Sequence, residues 1–508
     1  MKIFQVNARS KAESPTEKIY TCTFLALILL GLIFRVRLFL TGRSLWLDEA
    51  SLALNILHRS FADLFRLPLD HQQGAPIGYL FSVKTITLLF GDSEYAFRLF
   101  SLVAGCLVLW LIVLFSKQYL NKAGALLAIA LFAFGPSLVS YSAETKQYMG
   151  DVVVTLLFLL IGFKLTDKNA AFKSFLLFSG LGAVLLWFSH PAMFSAASIG
   201  IILLLHNWLK KDRTKLTWTL FCGFVWSINL VIIYFVNLRN LASNSFLLDF
   251  WQAGFMVIPP WSHLDWFVQI WQSLLHDPLG IEANPFIVFL IFAVGIFFLF
   301  RRDWRLGTML CLPLVFALLA SGLHKYSLLG RLLLFATPLF IVAISAGVDG
   351  LGSLFKNRYL SLGIQIVLAL YLIVAPFQTS LGDFLNPKYA EHIKPTMEYL
   401  HNQRKDSDLI YVYYGAVPAF QFYAPKYRLS LDNILIGADR SVNPQAPFDE
   451  IDLLKGHKRV WLIFTHVYEK DTFNEKDFIL DDVNQIGEKI REYRVPDTSV
   501  YLYLYDLK

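Results

Sequence analysis

The sequence predicts a polytopic α-helical membrane protein with a small α/β domain at its C-terminal end. Hydrophobic residues make up 56% of the 508 positions and charged ones only 16%, against about 25% charged in soluble domains. The mean hydropathy is +0.52. Runs at 21–34, 99–115, 123–134 and 286–300 carry no charge at all, as expected of helices that need about 20 mostly apolar residues to cross a bilayer. A soluble enzyme, a disordered scaffold and a nucleic-acid module fit none of this. The net charge of +7 does not alter that: residues 381–508 hold 16 basic against 20 acidic residues, so the excess lies in residues 1–380, with 29 against 18. Orientation in a membrane explains it better than an anionic partner does.

Apolar length places eleven spans, at about 19–40, 97–116, 123–140, 150–166, 172–189, 191–209, 216–236, 285–300, 306–322, 331–348 and 359–378. The first is read as an uncleaved span, because no small-residue cleavage signal follows it. With the N-terminus in the cytoplasm, the inner segments contain Lys2, Arg9, Lys11 and Lys18, then Lys117 and Lys122, then Lys164, Lys168 and Lys173, then Lys210, Lys211, Arg213 and Lys215, then Arg301, Arg302 and Arg305, and finally Lys356 and Arg358. Such a bias in short loops is the positive-inside pattern. An odd number of spans leaves the C-terminus outside. Cys22, Cys106, Cys222 and Cys311 stand singly in apolar runs, which predicts buried thiols and no disulfide framework.

The outer side then receives a long first loop, about 41–96, a short one near 141–150, a Trp-rich one at about 237–284, and residues 379–508. Within the first loop, 50–65 is amphipathic and 76–90 is apolar but for Lys84. Both suit helices lying in the membrane interface. The division is a membrane domain at 1–380 and an extracytoplasmic α/β domain at 381–508. In the latter, a polar helical stretch at 391–404, strand-like runs at 408–414, 459–467 and 499–507 and a charged helical stretch at 482–493 alternate. No Gly-rich phosphate loop is present.

The chemistry-bearing segment is Ser44-Leu45-Trp46-Leu47-Asp48-Glu49-Ala50, just beyond the first span. Adjacent carboxylates at an interface are costly unless paired or useful, and helix neighbours point about 100° apart, so one of the two faces a given cavity. On spacing alone, an N-cap at Asp48 and dipole support from Glu49 explain the pair as well as catalysis does.

Several pieces in order carry a resemblance: Arg35 and Arg37; Leu45-Trp46-Leu47-Asp48-Glu49-Ala50; Gly74-Ala75-Pro76-Ile77-Gly78-Tyr79; Phe90-Gly91-Asp92-Ser93-Glu94-Tyr95-Ala96-Phe97-Arg98-Leu99; and Tyr141-Ser142-Ala143-Glu144-Thr145-Lys146-Gln147-Tyr148, with a weaker return at Arg331-Leu332-Leu333-Leu334. Together they resemble the bacterial branch of the protein-mannosyltransferase superfamily. These are GT-C integral membrane glycosyltransferases, including family 39 and the aminoarabinose transferase of lipid A.

The resemblance implies a GT-C membrane domain and transfer of a sugar from a polyprenyl-phosphate donor to a lipid, glycan or protein acceptor. The reaction is placed on the outer face of a bacterial inner membrane. The resemblance makes Asp48 the general base, with Glu49 as second choice, either orienting a neighbour or pairing with Arg98. The cations at outer positions run against the positive-inside trend and are candidates for the donor phosphate: Lys146 and Arg331 foremost, with Arg35, Lys84 and Arg98, the last expected rather to pair with a carboxylate of the first loop, beside Glu144 and Tyr148. Snorkelling to lipid phosphates accounts for many such residues equally well.

No required metal is expected. His71, His190 and His324 lack ligand spacing, although some GT-C enzymes use a divalent cation. Trp251, Trp261, Trp266 and Trp271 suit an interfacial belt better than sugar stacking. The stretch 411–420 resembles a region of some bacterial relatives and points to a cover for the outer cavity, an acceptor site or a stabilising lid. The rival readings are a transporter or flippase of a lipid-linked sugar, an outer-face polysaccharide polymerase or ligase, and a non-catalytic relative. A transporter would show matching halves with charges gathered at the midplane. Here charges gather at one face.

Overall fold

A computed structural model describes residues 15–429, 432–440, 448 and 450–507. Lys2, Arg9 and Lys11 of the expected inner N-terminal segment lie outside the described residues. Contacts group the chain into two units. One comprises Met1–Phe39, Ser101–Ala143 and Gln147–Leu385; the other comprises Leu40–Phe100, Glu144–Lys146 and Asn386–Lys508.

The first unit is a bundle of apolar helices. Among the described residues, eight helices are long and apolar enough to cross a membrane, and nine if the bent pair Lys122–Phe134 and Pro136–Ala143 is one span. The other two expected spans also form helices, Tyr148–Lys164 and Phe172–Leu186, of 17 and 15 residues. They sit at or below the lower limit of spanning length. The last helix, Arg358–Leu385, runs on past residue 380. Helices Pro285–Arg302 and Thr337–Ser353 approach backbone to backbone, since a Cβ on Gly295 would lie 1.8 Å from the Ala343 carbonyl oxygen. Small residues permit such contact where no hydrophobic effect drives helices together.

Polar side chains of this unit close gaps in its backbone. Pro136 has no N–H for the Phe132 carbonyl, and the chain bends by 55° at this break. Arg35 is fully buried there and donates to the carbonyls of Phe132 at 2.7 Å, Ala133 at 3.2 Å and Gly31 at 3.0 Å. At the end of the bundle formed by residues 119–124, Asp349 accepts from the Asn121 and Gly124 amides, both at 2.8 Å. Arg302 reaches the Tyr119 carbonyl and Arg305 the Thr166 hydroxyl, both at 2.7 Å. Three of the expected inner loops thus converge. The expectation of four buried thiols is corrected: Cys222 is buried, Cys106 and Cys311 are half-buried, and Cys22 is exposed. The first helix turns much of its apolar surface outward, which in a membrane protein means toward lipid.

The second unit joins the first loop to the C-terminal residues. The loop carries helices Leu47–His58, Phe61–Arg66 and Ile77–Phe90, the middle one begun by a Ser60/Asp63 capping box. The C-terminal part has strands β1 (Leu409–Val412), β2 (Ile434–Ile436), β3 (Val460–Phe464), β4 (Glu469–Lys470), β5 (Phe473–Asn474), β6 (Glu488–Arg494) and β7 (Tyr501–Asp506). The five-stranded sheet has the order β2-β1-β3-β7-β6. β1 is parallel to β2 and β3, and β7 is antiparallel to β3 and β6. β3, buried throughout, is its centre. The expected helix at 482–493 is corrected: the helix is Glu475–Ile486, and 488–494 is edge strand β6. Charged residues guard an exposed edge against further pairing, so an edge strand has the composition of a polar helix.

Candidate functional site

The helix Leu47–His58 begins at Trp46, which offers no capping side chain. The orphan N–H groups of a first turn need partners. Leu47 N–H donates to Glu391 Oε2 at 2.9 Å, so a carboxylate more than 340 positions away caps the helix. The preceding loop is tied down from the same C-terminal segment. Leu45 N–H donates to the Tyr423 hydroxyl at 2.8 Å, and Tyr423 donates to Glu94 at 2.9 Å. Lys394 pairs with Glu94 at 3.0 Å. Ser44 N–H donates to His392 Nδ1 at 3.2 Å, which requires an unprotonated Nδ1. Burial, helped by the charge of Lys394, lowers the His392 pKa to about 4. The ring is therefore neutral near pH 7 and suited to accept.

Asp48 and Glu49 sit one residue apart in different environments. Glu49 is fully buried. Its Oε1 accepts from Arg98 Nε at 2.9 Å and from Thr145 N–H at 2.6 Å, and its Oε2 from Arg98 Nη2 at 2.6 Å. Burial would raise its pKa, but the Arg98 guanidinium, with help from Arg43 and the Thr145 amide, holds it below the usual carboxylate range. Asp48 keeps 17% of its side chain exposed. Its Oδ1 accepts from Gln73 Nε2 at 3.2 Å, and its Oδ2 lies 3.5 Å from Lys146 Nζ.

Gln73 links the base candidate to the cation. Its amide oxygen accepts from Lys146 Nζ at 2.7 Å while its amide nitrogen reaches Asp48 and, at 3.2 Å, the His71 carbonyl. The amide can serve both only in this orientation, because Asp48 accepts and Lys146 donates. The turn before it has two consecutive left-handed residues, His71 at φ 57° and Gln72 at φ 55°. Such backbone is uncommon outside glycine and persists where surroundings impose it.

The second unit thus gathers Asp48, Glu49, Arg98, Glu144 and Lys146 in one network, with Arg43 pairing to Glu144 at 3.3 Å. Three of the candidate phosphate ligands have protein partners, and for Arg98 it is the first-loop carboxylate that the sequence pointed to. Arg98 has donors on Glu49 and on the Arg43 and Ser44 carbonyls. Lys84 donates to the Ile56 carbonyl at 2.8 Å, at the C-terminal end of the helix that starts at Leu47. Arg35 serves the helix break described above. For Lys84 and Arg35 a buried cation has met backbone carbonyls, which a sequence does not distinguish from a ligand site. Arg331 and Tyr148 belong to the first unit, where the Arg331 guanidinium lies 5.9 Å from the Tyr148 ring centroid and 5.3 Å from that of Trp251. Trp266 and Trp271 each donate to a backbone carbonyl, and Trp261 is exposed.

Gln73, Arg43, Glu391 and His466 were not singled out by sequence. Gln73 immediately precedes the Gly74–Tyr79 motif and was within reach of a local reading; the others depend on long-range packing. His466 Nδ1 lies 2.8 Å from Glu391 Oε1, and its ring packs against Trp46 with centroids 6.5 Å apart. No group of three or more His, Cys, Asp or Glu among the described residues is placed to hold a metal ion.

The family described as dolichyl-phosphate-mannose-protein mannosyltransferase matches residues 74–253. No curated protein matches the sequence significantly. Among solved structures, ArnT from Cupriavidus metallidurans in the apo state matches with TM-score 0.56 at 12% identity, over 96% of this chain and 98% of that one. The same protein bound to undecaprenyl phosphate matches with TM-score 0.55 at 12% identity, over 97% and 98%. The chain therefore has the ArnT fold, a polytopic helical domain with a C-terminal β-containing part, along nearly its whole length. The family match spans the Gly74–Tyr79, Phe90–Leu99 and Tyr141–Tyr148 motifs.

Proposed function

We propose that the protein is an inverting glycosyltransferase that moves a sugar from a polyprenyl-phosphate donor to an acceptor hydroxyl on the outer face of a bacterial inner membrane, with Asp48 as general base. The observation that carries this reading is the contrast inside one helical turn. Glu49 is sealed on Arg98 and Thr145, whereas Asp48 stays part-exposed with Lys146 and Gln73 on its two oxygens.

That arrangement suits the chemistry. A glycosidase needs a second carboxyl as acid because its leaving group is a poor alkoxide. A sugar phosphate leaves as a stable anion, so one carboxylate to take the acceptor proton and cations near the phosphate suffice. Asp48 aligns the hydroxyl for in-line attack at the anomeric carbon, which inverts its configuration. Lys146 supplies positive charge beside the base and is our candidate for the donor phosphate. Arg331, framed by Tyr148 and Trp251, is a separate candidate in the first unit. Glu49, Arg98 and Glu144 hold the network rather than touch substrate. No metal step is invoked. The likeness to ArnT, which is known bound to undecaprenyl phosphate, supports a lipid-phosphate donor.

The test is a panel of polyprenyl-monophosphate and polyprenyl-diphosphate sugars offered to the purified protein with membrane extract as acceptor. Transfer from a monophosphate donor is expected. Transfer only from diphosphates would move the protein to the polymerase and ligase class, and transfer from none would remove the proposal.

A further inference from the structure

Asp48, Glu49, Glu144 and Glu391 are four carboxylates, and Arg43, Arg98 and Lys146 are three permanent cations. His466 adds a titratable group beside Glu391. Glu391 connects it to the helix that bears the base, with Oε2 on the Leu47 amide and Oε1 on His466 Nδ1. The Nδ1–H bond to a carboxylate fixes the ring and leaves Nε2 as the functional nitrogen.

The backbone at this point is shaped for the purpose. His466 adopts φ 52°, left-handed for a residue with a side chain. Its turn follows β3, and Gly415 passes beneath it: a Cβ on Gly415 would lie 2.7 Å from the His466 carbonyl oxygen and 3.0 Å from that of Thr465. Trp46, next to the base-bearing turn, lies beside the imidazole with ring centroids 6.5 Å apart.

We propose that His466, held by Glu391, is a positioning residue for sugar transfer: through Glu391 and the Leu47 amide it fixes the first turn of the helix that bears Asp48, and it makes the C-terminal residues part of the site. This rests on Asp48 being the base. The groups that bear on the ring are Glu391, from the segment ahead of helix Lys394–Gln403, and Asp48, from helix Leu47–His58, with Lys146 behind Asp48. The bond to Glu391 raises the imidazole above its usual range; burial opposes this, and the charges of Glu391 and Asp48 reinforce it. A group raised in this way keeps its proton to a higher pH than an ordinary imidazole and loses it toward the alkaline side.

The experiment compares steady-state transfer by wild type, His466→Gln and His466→Arg between pH 5.5 and 9. Wild type should lose activity along an alkaline limb. His466→Gln should lower kcat at least tenfold with donor KM within twofold and no such limb. His466→Arg, a permanent cation, should recover most of the turnover and carry it past the pH where wild type fails. A His466→Gln enzyme with wild-type kcat and an intact limb overturns the inference, and so does a His466→Arg enzyme that folds yet retains the limb. If His466→Gln does not fold, the His466→Arg profile decides alone, and failure of both variants to fold makes the residue structural and overturns the inference. A wild-type protein inactive with every lipid-linked donor instead sinks the parent reading.

Discussion

Arg98 grips Glu49 through two nitrogens, Nε at 2.9 Å and Nη2 at 2.6 Å, and both side chains are almost wholly buried. Removing one member of such a pair strands the other's charge, at a cost of about 3–5 kcal/mol. Arg98→Met and Glu49→Gln should therefore each lower the thermal midpoint in detergent markedly, and the double variant should lose less than the two combined. Because Glu49 is held below the usual carboxylate range, its contribution is present above that range and fades as pH falls through the lowered value.

Gln73 is predicted to matter for rate more than for donor binding. Gln73→Leu removes a partner from both Asp48 and Lys146. Misplacing a reacting group by about 1 Å can cost up to about 100-fold, so turnover should fall by about 10- to 100-fold with donor KM changed little. Gln73→Glu should do worse than Gln73→Met, since it sets a carboxylate against Asp48. Wild-type kinetics in all three variants would remove Gln73 from the site.

His392 should make the clamp on the first loop fail in mild acid. Its pKa is lowered to about 4 from an ordinary value near 6.5, so the unfolded chain binds more protons between these limits. Stability is full above about 6.5 and declines as pH drops toward 4. Thermal midpoints of wild type and His392→Asn, whose side-chain oxygen can still accept from Ser44, should diverge at neutral pH by less than the wild type's own fall between pH 7 and 5.

Arg35 is predicted to be a structural residue whose need arises from Pro136. Arg35→Met leaves carbonyls of Phe132 and Ala133 without their buried donor, at about 1–3 kcal/mol for each such group. Pro136→Ala restores an N–H that can serve Phe132. The loss from Arg35→Met should accordingly be smaller in a Pro136→Ala background, as read from thermal midpoints in detergent.

The membrane architecture was legible because apolar length is a local property: each expected span coincides with a helix, and the first-loop stretches 50–65 and 76–90 are helical, the former broken between His58 and Phe61. Strand β6 was not, since its exposed charges imitate a polar helix and only pairing with β7 separates the two. Asp48, Glu49 and Lys146 announced themselves through order along the chain. The pairing of Glu49 with Arg98 was legible too, whereas the engagement of Lys84 and Arg35 by backbone carbonyls was not, because a cation's partner is a matter of packing. Glu391 and His466 reach the base-bearing helix from beyond residue 390, a relation no local pattern encodes.

The most direct measurement is single-turnover transfer by Asp48→Asn from a donor that wild type uses, with folding checked by an unchanged thermal midpoint. Loss of about a thousandfold or more in rate, with donor still bound, is the result expected of a missing base. Transfer within a few-fold of wild type would mean that the acceptor proton leaves by another route, and that the exposed carboxylate of this turn is not what drives the reaction.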